Sequence, residues 1–495
     1  MESHELIIES ENRKRKPKPK THKYKKERHL NIKKKDILSA RYRYGGCLKV
    51  KNKNAITDKD LKNAIEKYFD VKETKEFVVE AVKIPHINTR YWERDPQIHF
   101  YIQRFLQPLF EEVGIETWTD DQGNLIARIG KRESGKRTLI IQHAMAWGAA
   151  EDEDEYNKLS PIHESGEVLD AKDLNIKGFN PEEFGIEGEV VWGRDASETI
   201  PSTIAAVEAA RTLARSGVEI PGEVLFIVTS GGHQGSSDNI FHLIFNDEVK
   251  ADMAVHAACM AAGQHLTIGV GSLGRVDIKL TIYGKLGHTS DYKEEKVLNA
   301  IEGALIALER LKKIMPFPPG SIDPDFGVGP KIAPIAIESF PKPPTFAWGL
   351  GSGGHTRQDV VRIVFDRRVV PGESVDDAIQ QMKDAIGDLA PFKYKLERGA
   401  YHFPWKVPKD APAVKILSES IRIMLEKEAR LSYSTAAWDH GSVNRLGIPC
   451  VKFGAGGPIC SNPPVGPHTK HEFAVLNWIY DVAKVYAYFA VKSTI

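Results

Sequence analysis

Hydrophobic positions along the chain recur with two different periods, and the order of those periods predicts the fold class. Apolar residues repeat every three or four positions in the segment from Asp58 ("DKDLKNAIEKYF") and again from Ile98 to Val113, so both segments are predicted to be helices. Short apolar runs predict buried strands at "RTLIIQH", "GEVLFIVTS" and "ADMAVHA", and the helical pattern "PSTIAAVEAARTLARSG" lies between the first two. Strands that alternate with helices predict an α/β fold with a mostly parallel sheet and helices on both faces.

Three histidines lie at the ends of these predicted strands: His143, His233 and His256. In open α/β sheets, ligands bind beyond the carboxyl ends of the strands. We therefore expect one crevice at that edge of the sheet to collect the three imidazoles.

The pattern changes after Ser272. The segment "GRVDIKLTIYGKLGHTS" alternates like a half-exposed antiparallel strand, and the helix "VLNAIEGALIALERLKKI", the strand "DVVRIVFDRRVV" and the helix "VDDAIQQMKDAIGDL" follow it. Beyond Pro408 the earlier pattern returns. We predict a main domain over residues 57–272 and 397–495, interrupted by an inserted αβ domain over residues 273–396.

Charge is distributed unevenly along the 495 residues, whose formal net charge is +1. Residues 1–54 contain 18 Lys and Arg against 6 Asp and Glu, so the remainder is acidic. We predict that residues 1–56 form a disordered basic tail. A nucleic-acid or nuclear-targeting role would make binding salt-sensitive, but we favour a solvated tail, with no nucleic-acid partner and no part in catalysis.

Composition excludes several classes of protein. Hydrophobic residues make up 41% and charged residues 27% of the chain, as in globular proteins. No apolar run reaches the roughly 18 residues that a bilayer span requires, and the start lacks a secretory signal, so we expect no membrane contact and a cytoplasmic location.

The four cysteines are too sparse for a disulfide framework, and we expect free thiols. Phosphate-loop, GxSxG and HExxH motifs are absent from the sequence, and no nucleotide cofactor is implied.

A series of short motifs from about residue 75 to the end resembles one enzyme family. In order they are "DDQGN", "IIQHAM", "GRDASE", "VTSGGHQG", "GKLGHTS", "NAIEG", "FDRRVVPG" and "GPHTKHEF". The sequence resembles the metal-dependent amidohydrolases and exopeptidases that include acetylornithine deacetylase, succinyl-diaminopimelate desuccinylase, aminoacylase and glutamate carboxypeptidase. The resemblance implies two zinc ions in a sheet-based catalytic domain and an inserted lid domain that commonly mediates dimerisation.

The chain departs from that family at two catalytic positions. Where the family has His-x-Asp, this chain has His143 followed by Ala144 and Met145, so the carboxylate that would orient the histidine is missing. Where the family has two consecutive glutamates, a general base and a metal ligand, this chain has Gly232 and His233. The usual base is therefore absent.

The remaining family ligand positions keep side chains that can bind metal. Glu198 occupies the position of the bridging aspartate, His256 that of the later acidic ligand, and the final histidine is kept as His468. Histidines at ligand positions favour a rewired site over a decayed one. The predicted ligands are His143, Glu198, His233, His256 and His468.

Charge predicts how many ions this set can hold. Three family carboxylates against two divalent ions leave about one net positive charge, whereas Glu198 alone against two ions leaves about three. One ion restores the family's value. We therefore predict one divalent transition metal ion, with Zn or Mn preferred and Fe, Co or Ni also compatible with imidazole and carboxylate ligands.

Three further residues are candidates for catalytic roles. Asp195, or a histidine outside the coordination shell, could replace the missing base. Asp439 in "AAWDHG" resembles an aspartate near the family's site, although a turn or capping role explains it equally well. His288 in "GKLGHTS" matches a family histidine that reaches the other subunit's substrate and stabilises its oxyanion, which implies a homodimer.

These residues predict a hydrolase of a C–N bond in an amide or an amino-substituted small molecule, with water activated on the metal as nucleophile. The alternative is a non-catalytic relative that binds a small molecule or a protein partner through the same cleft. Metal content distinguishes the two hypotheses.

Overall fold

The structure is a computed structural model of the whole chain. It describes residues 56–84, 96–132, 135–144, 163–231, 238–246, 249–258, 265–288, 297–315, 321–340, 356–467 and 469–495. All of them belong to one unit, Lys49–Ile495. The predicted basic tail, except for Ile56, lies outside the described residues.

The strands of the described chain are numbered in sequence order. They are β1 (Glu116–Thr119), β2 (Leu125–Gly130), β3 (Arg137–His143), β4 (Val168–Asp170), β5 (Glu189–Trp192), β6 (Glu223–Thr229), β7 (Met253–Ala257), β8 (Thr267–Ser272), β9 (Gly274–Tyr283), β10 (Gly287–His288), β11 (Lys331–Phe340), β12 (Thr356–Arg357), β13 (Val360–Val369), β14 (Lys393–His402), β15 (Trp405–Lys406), β16 (Arg430–Ser434), β17 (Cys450–Phe453), β18 (Cys460–Ser461), β19 (Pro464–Val465) and β20 (Phe473–Val475).

The α-helices of the same residues are α1 (Asp58–Tyr68), α2 (Val71–Val82), α3 (Pro96–Phe100), α4 (Gln107–Glu111), α5 (Thr199–Ser216), α6 (Asp238–Phe241), α7 (Ala300–Lys313), α8 (Val375–Ile386), α9 (Pro412–Leu425), α10 (His440–Arg445) and α11 (Leu476–Lys492). A π-helical segment, Tyr101–Leu106, joins α3 to α4. The single helix predicted from Ile98 to Val113 is therefore interrupted by a widened turn.

The central sheet has the strand order β1-β2-β6-β3-β7-β17-β8-β15, and β16 pairs with β8. Its middle strands β6, β3, β7 and β17 run parallel to one another, while β1, β2 and β15 are antiparallel to their neighbours. Fully buried apolar side chains line both faces of the middle strands, as expected for parallel strands covered by helices. The structure confirms the predicted α/β class.

The sequence of helix α5 suits a helix that is buried in this core. It is rich in alanine and buried over nearly its whole length, so neighbouring elements approach it closely. The helix ends at Gly217, which adopts a left-handed conformation with φ of 66°. Helices α1 and α2, which pack beside it, begin at Thr57 and Asp70, and each of these side chains accepts a backbone N–H of the first turn.

A second, antiparallel sheet lies in the region of the predicted insert, with the order β11-β13-β9-β14. Burial alternates along β9 and β13, and their inward residues form a separate core with α7 and α8. Strand β14 continues to His402, past the predicted boundary at residue 396. The exact domain limits remain a prediction.

Two of the four cysteines lie in the described residues, and Cys450 and Cys460 are both free thiols, as predicted. Burial raises the pKa of the Cys450 thiol. In the described residues, no helix is both long and apolar enough to cross a membrane.

A buried carboxylate in α5 makes stability depend on pH. Glu208 is fully buried, and its carboxylate accepts hydrogen bonds from Thr212 at 3.1 Å and Arg215 at 3.3 Å. Burial nevertheless raises the pKa of Glu208 to about 7 from a usual value of 4.5, against the lowering effect of Arg215 and Arg211. The native state therefore binds a proton between pH 4.5 and 7 that the unfolded state releases.

We predict that Glu208→Gln becomes more stable relative to the unmodified protein as pH rises from 4.5 to above 7. The relative gain should reach at most about 3.5 kcal/mol, because the two pKa values differ by about 2.5 and each pKa unit is worth about 1.4 kcal/mol. Urea denaturation at pH 5 and pH 8 measures it, with the exposed Glu309 changed to Gln as the control. A relative stability of Glu208→Gln that does not change between these pH values would contradict the prediction.

Candidate active site

The predicted ligands His143 and His256 lie at the carboxyl ends of two neighbouring parallel strands. His143 is the last residue of β3, and His256 lies in β7 opposite Ile141. Because residues two apart share a face of a strand, the two imidazoles project from the same face of the sheet. Their Nε2 atoms approach to 2.8 Å, and each residue is 1% exposed. Two of the three imidazoles expected in one crevice, those of His143 and His256, therefore lie in direct contact.

The hydroxyl of Thr229 orients the His143 ring. Thr229 ends β6 and is the ladder partner of His143, and its Oγ1 lies 2.6 Å from Nδ1 of the imidazole. The same hydroxyl lies 3.2 Å from the carbonyl oxygen of Gln142. A threonine on the adjacent strand therefore supplies the orientation that the missing His-x-Asp carboxylate would give.

Asp439 connects His143 to a histidine that the sequence analysis did not select. Its Oδ2 lies 3.3 Å from Nε2 of His143, and its Oδ1 lies 3.0 Å from Nε2 of His402 at the end of β14. Asp439 precedes α10, but its side chain makes no capping hydrogen bond there. The sequence allowed Asp439 to be either a residue of the site or a turn or capping residue. The contacts of its side chain match a residue of the site.

His440 extends the cluster on the side of His256. The Nδ1 atoms of His256 and His440 are 3.1 Å apart, and the rings stack with centroids 5.0 Å apart. Trp405 contacts the outer side of His440 edge-on, at 4.2 Å between centroids. His440 directly follows Asp439, so the motif "AAWDHG" contained a signal for it, whereas His402 lies far from every motif.

The contacts couple the protonation states of the three rings of His143, His256 and His440. If Nδ1 of His143 donates to Thr229, its Nε2 accepts from His256, whose Nδ1 then accepts from His440. The opposite tautomer of His143 reverses both later contacts. A proton that moves at one ring therefore changes the roles of the other two.

His143 is held in its neutral form. Burial lowers its pKa, and the charges of His402 and Lys452 act in the same direction, while Asp439 opposes them. Neutral imidazole is the form that binds metal ions, since the ring nitrogen must have a lone pair available.

Glu198 and Asp195 lie together at the start of α5. The turn that precedes the helix places Asp195 in a left-handed conformation with φ of 63°, which is strained for a residue with a side chain. Thr203, in the first turns of α5, lies 3.4 Å from the carbonyl oxygen of His143, so the helix start is adjacent to the histidine cluster. Burial raises the pKa of Glu198 well above its usual value, and the Asp195 carboxylate adds to this effect.

Glu472 forms a third acidic group beside these two. It accepts a hydrogen bond from Ser197 Oγ at 3.0 Å, and Arg194 lies 3.8 Å away. Burial, with the charge of Asp195, raises the pKa of Glu472 to about 8. The start of α5 therefore concentrates acidic groups whose protonated forms are favoured by burial and by their proximity to one another.

The remaining predicted residues are His233, His468 and His288. His233 and His468 lie outside the described residues. His288 is exposed in β10, which pairs with β12 rather than with the central sheet. The structure thus brings together His143, His256 and Asp439. Glu198 and Asp195 lie at the start of α5, the helix whose Thr203 contacts the carbonyl oxygen of His143.

The donor atoms of the described residues are compatible with one metal ion but do not complete its coordination. Two imidazole nitrogens bound to one tetrahedral ion at 2.0–2.1 Å would lie about 3.3 Å apart, so a slight separation of His143 and His256 would admit an ion. Within the described ranges, no group of three or more His, Cys, Asp or Glu side chains is arranged to hold a metal. The two imidazoles fit as ligands, and the others must come from elsewhere.

Comparison with known proteins identifies the family. The model of peptidase family M20/M25/M40 matches residues 169–492, which is more than half of the chain. The chain belongs to this family. Membership confirms the resemblance noted from the motifs and the enzyme class, a metal-dependent hydrolase of C–N bonds. No curated protein matches the chain in sequence.

Solved structures of the same fold cover nearly all of the chain. A tripeptidase from Staphylococcus aureus is 18% identical over 86% of this chain and 98% of its own, with a TM-score of 0.61. The dipeptidase Dug1p from Saccharomyces cerevisiae is 12% identical over 88% and 99%, with a TM-score of 0.62. The YXEP protein of Bacillus subtilis, a dinuclear metal binding peptidase, is 13% identical over 87% and 100%, with a TM-score of 0.56. At these identities the likeness shows the fold alone.

Proposed function

We propose that the protein hydrolyses the C–N bond of a small amide or amino-substituted compound at a histidine-rich site with one divalent metal ion. The ion would be held by His143 and His256, with Glu198, His233 and His468 as the further ligands. The observation that carries the proposal is the approach of two buried Nε2 atoms to 2.8 Å at the carboxyl edge of the sheet. Zn and Mn are the preferred ions, because both accept imidazole and carboxylate ligands.

When bound, the ion lowers the pKa of its water towards neutrality and polarises a carbonyl or an electron-poor ring carbon. The residues of the chain have the remaining tasks. Thr229 fixes the ring of His143 through Nδ1, which leaves Nε2 directed at the ion position. Burial keeps His143 neutral. Both effects favour binding of a cation at the imidazole pair.

A proton acceptor is needed because Gly232 replaces the family's glutamate. We propose Asp439 for this role, since its carboxylate lies 3.3 Å from Nε2 of His143 and is therefore beside the ion position. A proton taken up there can be held between Asp439 Oδ1 and His402 Nε2, which are 3.0 Å apart. Asp195 remains the second candidate, because it lies beside Glu198 and raises that group's pKa.

The absence of the family's paired glutamates affects which class of substrate we propose. The tripeptidase and dipeptidase of the same fold are named for peptide substrates. This chain lacks the paired glutamates that the resemblance implies for such enzymes, and we therefore propose amides or amino groups of small molecules rather than ordinary peptides. A cytoplasmic location is retained as part of the proposal.

Replacement of a histidine in the pair tests this function. We expect His256→Ala to remove bound Zn or Mn and to reduce hydrolysis by more than about 100-fold, since loss of outer-shell partners alone costs 10–100-fold. Elemental analysis measures the metal, and release of amine or ammonia from N-acyl amino acids, dipeptides, amides and amino-substituted heterocycles measures turnover. His265→Ala is the control, because His265 contacts Asp481 and stacks on Trp478, outside the cluster.

Full metal content and full activity in His256→Ala would show that the ligand assignment is wrong. Unmodified protein that contains no transition metal, and takes up none when Zn or Mn is added, would instead favour a non-catalytic relative that binds a ligand in the cleft.

We also propose a homodimer formed through the second sheet, with His288 contributed to the partner's site. Exposed apolar side chains on this sheet and on a helix that packs against it support the proposal: Leu305 of α7 and Ile337 of the edge strand β11 are each 62% exposed. Apolar edges and patches of this kind commonly mark association surfaces.

Light scattering of the purified protein tests the dimer. We expect twice the mass of the 55.3 kDa chain, and the mass of one chain after Leu305→Glu and Ile337→Glu are combined. Val71→Glu, at an exposed apolar position of α2, is the control. A single-chain mass for the unmodified protein would exclude the dimer.

A further inference from the structure

A buried lysine lies on the same face of the sheet as the histidine pair. Lys452 is in β17, and its ladder partner on the parallel strand β7 is His256. Directly opposed residues project from the same face, so the ammonium group emerges beside the imidazoles. Lys452 is 1% exposed. Lysines are rarely buried to this degree, because removal of a charge from water is costly unless other groups compensate for it.

The surroundings of Lys452 compensate for its charge. Its Nζ lies over the face of Trp438, 2.9 Å from the ring centroid, and an aromatic face attracts a cation. The lysine charge favours the ionised form of Glu198 and disfavours protonation of His143. Lys452 therefore acts electrostatically on two of the side chains that are proposed as metal ligands.

We propose that the ammonium group of Lys452 takes the place of one of the two cations in a dinuclear site of this fold, which limits the protein to one metal ion. The inference rests on the proposed function and deepens it. Once an ion is bound, the ion and Lys452 face Glu198 and Asp439, and these four charges sum to about one net positive charge. A second ion would leave about three positive charges in a buried site, where repulsion is strong.

Trp438 has a defined part in this arrangement. The Trp438 ring is itself buried, and its centroid lies 6.1 Å from that of His256. The ammonium is thus held against a rigid aromatic face rather than on a flexible surface. A metal ion could not be held by the face of Trp438, because the indole ring offers no lone pair for coordination.

Metal stoichiometry tests the inference. Unmodified protein, Lys452→Met and Lys452→Arg are stripped with a chelator, titrated with Mn and with Zn by calorimetry, and analysed for bound metal after dialysis. We expect one ion per chain for the unmodified protein and for Lys452→Arg, which keeps the charge. Lys452→Met keeps an apolar side chain of similar length, and we expect it to bind a second ion. Lys484→Met, a change at a partly exposed lysine of α11, controls for loss of a positive charge elsewhere.

The outcomes separate this inference from the proposed function. Two ions in the unmodified protein would overturn the inference, and this result does not depend on whether a variant folds. One ion in both unmodified protein and Lys452→Met, with equal affinity, would overturn it as well, while the proposed function would stand. No ion in the unmodified protein but one in Lys452→Met would support the lysine as a cation and overturn the metal-dependent function. No ion in either protein would overturn both.

Discussion

The contact between the imidazoles of His143 and His256 depends on the register of two parallel strands. Strand β7 is paired with β3 so that His256 faces Ile141, two residues before His143. A shift of one residue would move every side chain of β7 to the other face. The neighbouring ladders place Thr229 opposite His143 and Lys452 opposite His256. The registers of three adjoining strand pairs in the middle of the sheet thus determine the ligand pair, its orienting hydroxyl and its buried cation.

The hydrophobic layers on both faces of the sheet maintain that register. Below the site, Ile141, Ile227 and Ala254 pack on the same face as the histidines, and α5 and α11 cover the other face. The apolar packing buries the polar side chains of the site. Burial disfavours the charged form of an ionisable group, and it is the main cause of the lowered pKa of His143 and the raised pKa of Glu198. The fold creates the electrostatics of the site as well as its geometry.

The sequence predicted the parts of this site that are encoded locally. Apolar runs that end in histidine predicted β3 and β7, and the carboxyl-edge rule predicted that His143 and His256 would meet. Strand register is not encoded locally, so neither Thr229 nor Lys452 could be recognised. His402 was missed because β14 belongs to the second sheet, and only the tertiary arrangement brings its end to Asp439. Strand β11 was missed because its apolar residues are largely exposed, which weakens the pattern. The ligand set and the number of ions stay predictions, since His233 and His468 lie outside the described residues.

Crystallography with anomalous scattering tests the central claim most directly, because it locates a metal ion without reference to activity. Crystals of the protein grown with Zn and measured on both sides of the zinc absorption edge should contain one anomalous peak per site. The account predicts that this peak lies about 2.0–2.1 Å from Nε2 of His143 and from Nε2 of His256, with the two nitrogens further apart than the present 2.8 Å. A peak bound elsewhere, or an imidazole pair still in direct contact at full zinc occupancy of the protein, would contradict it.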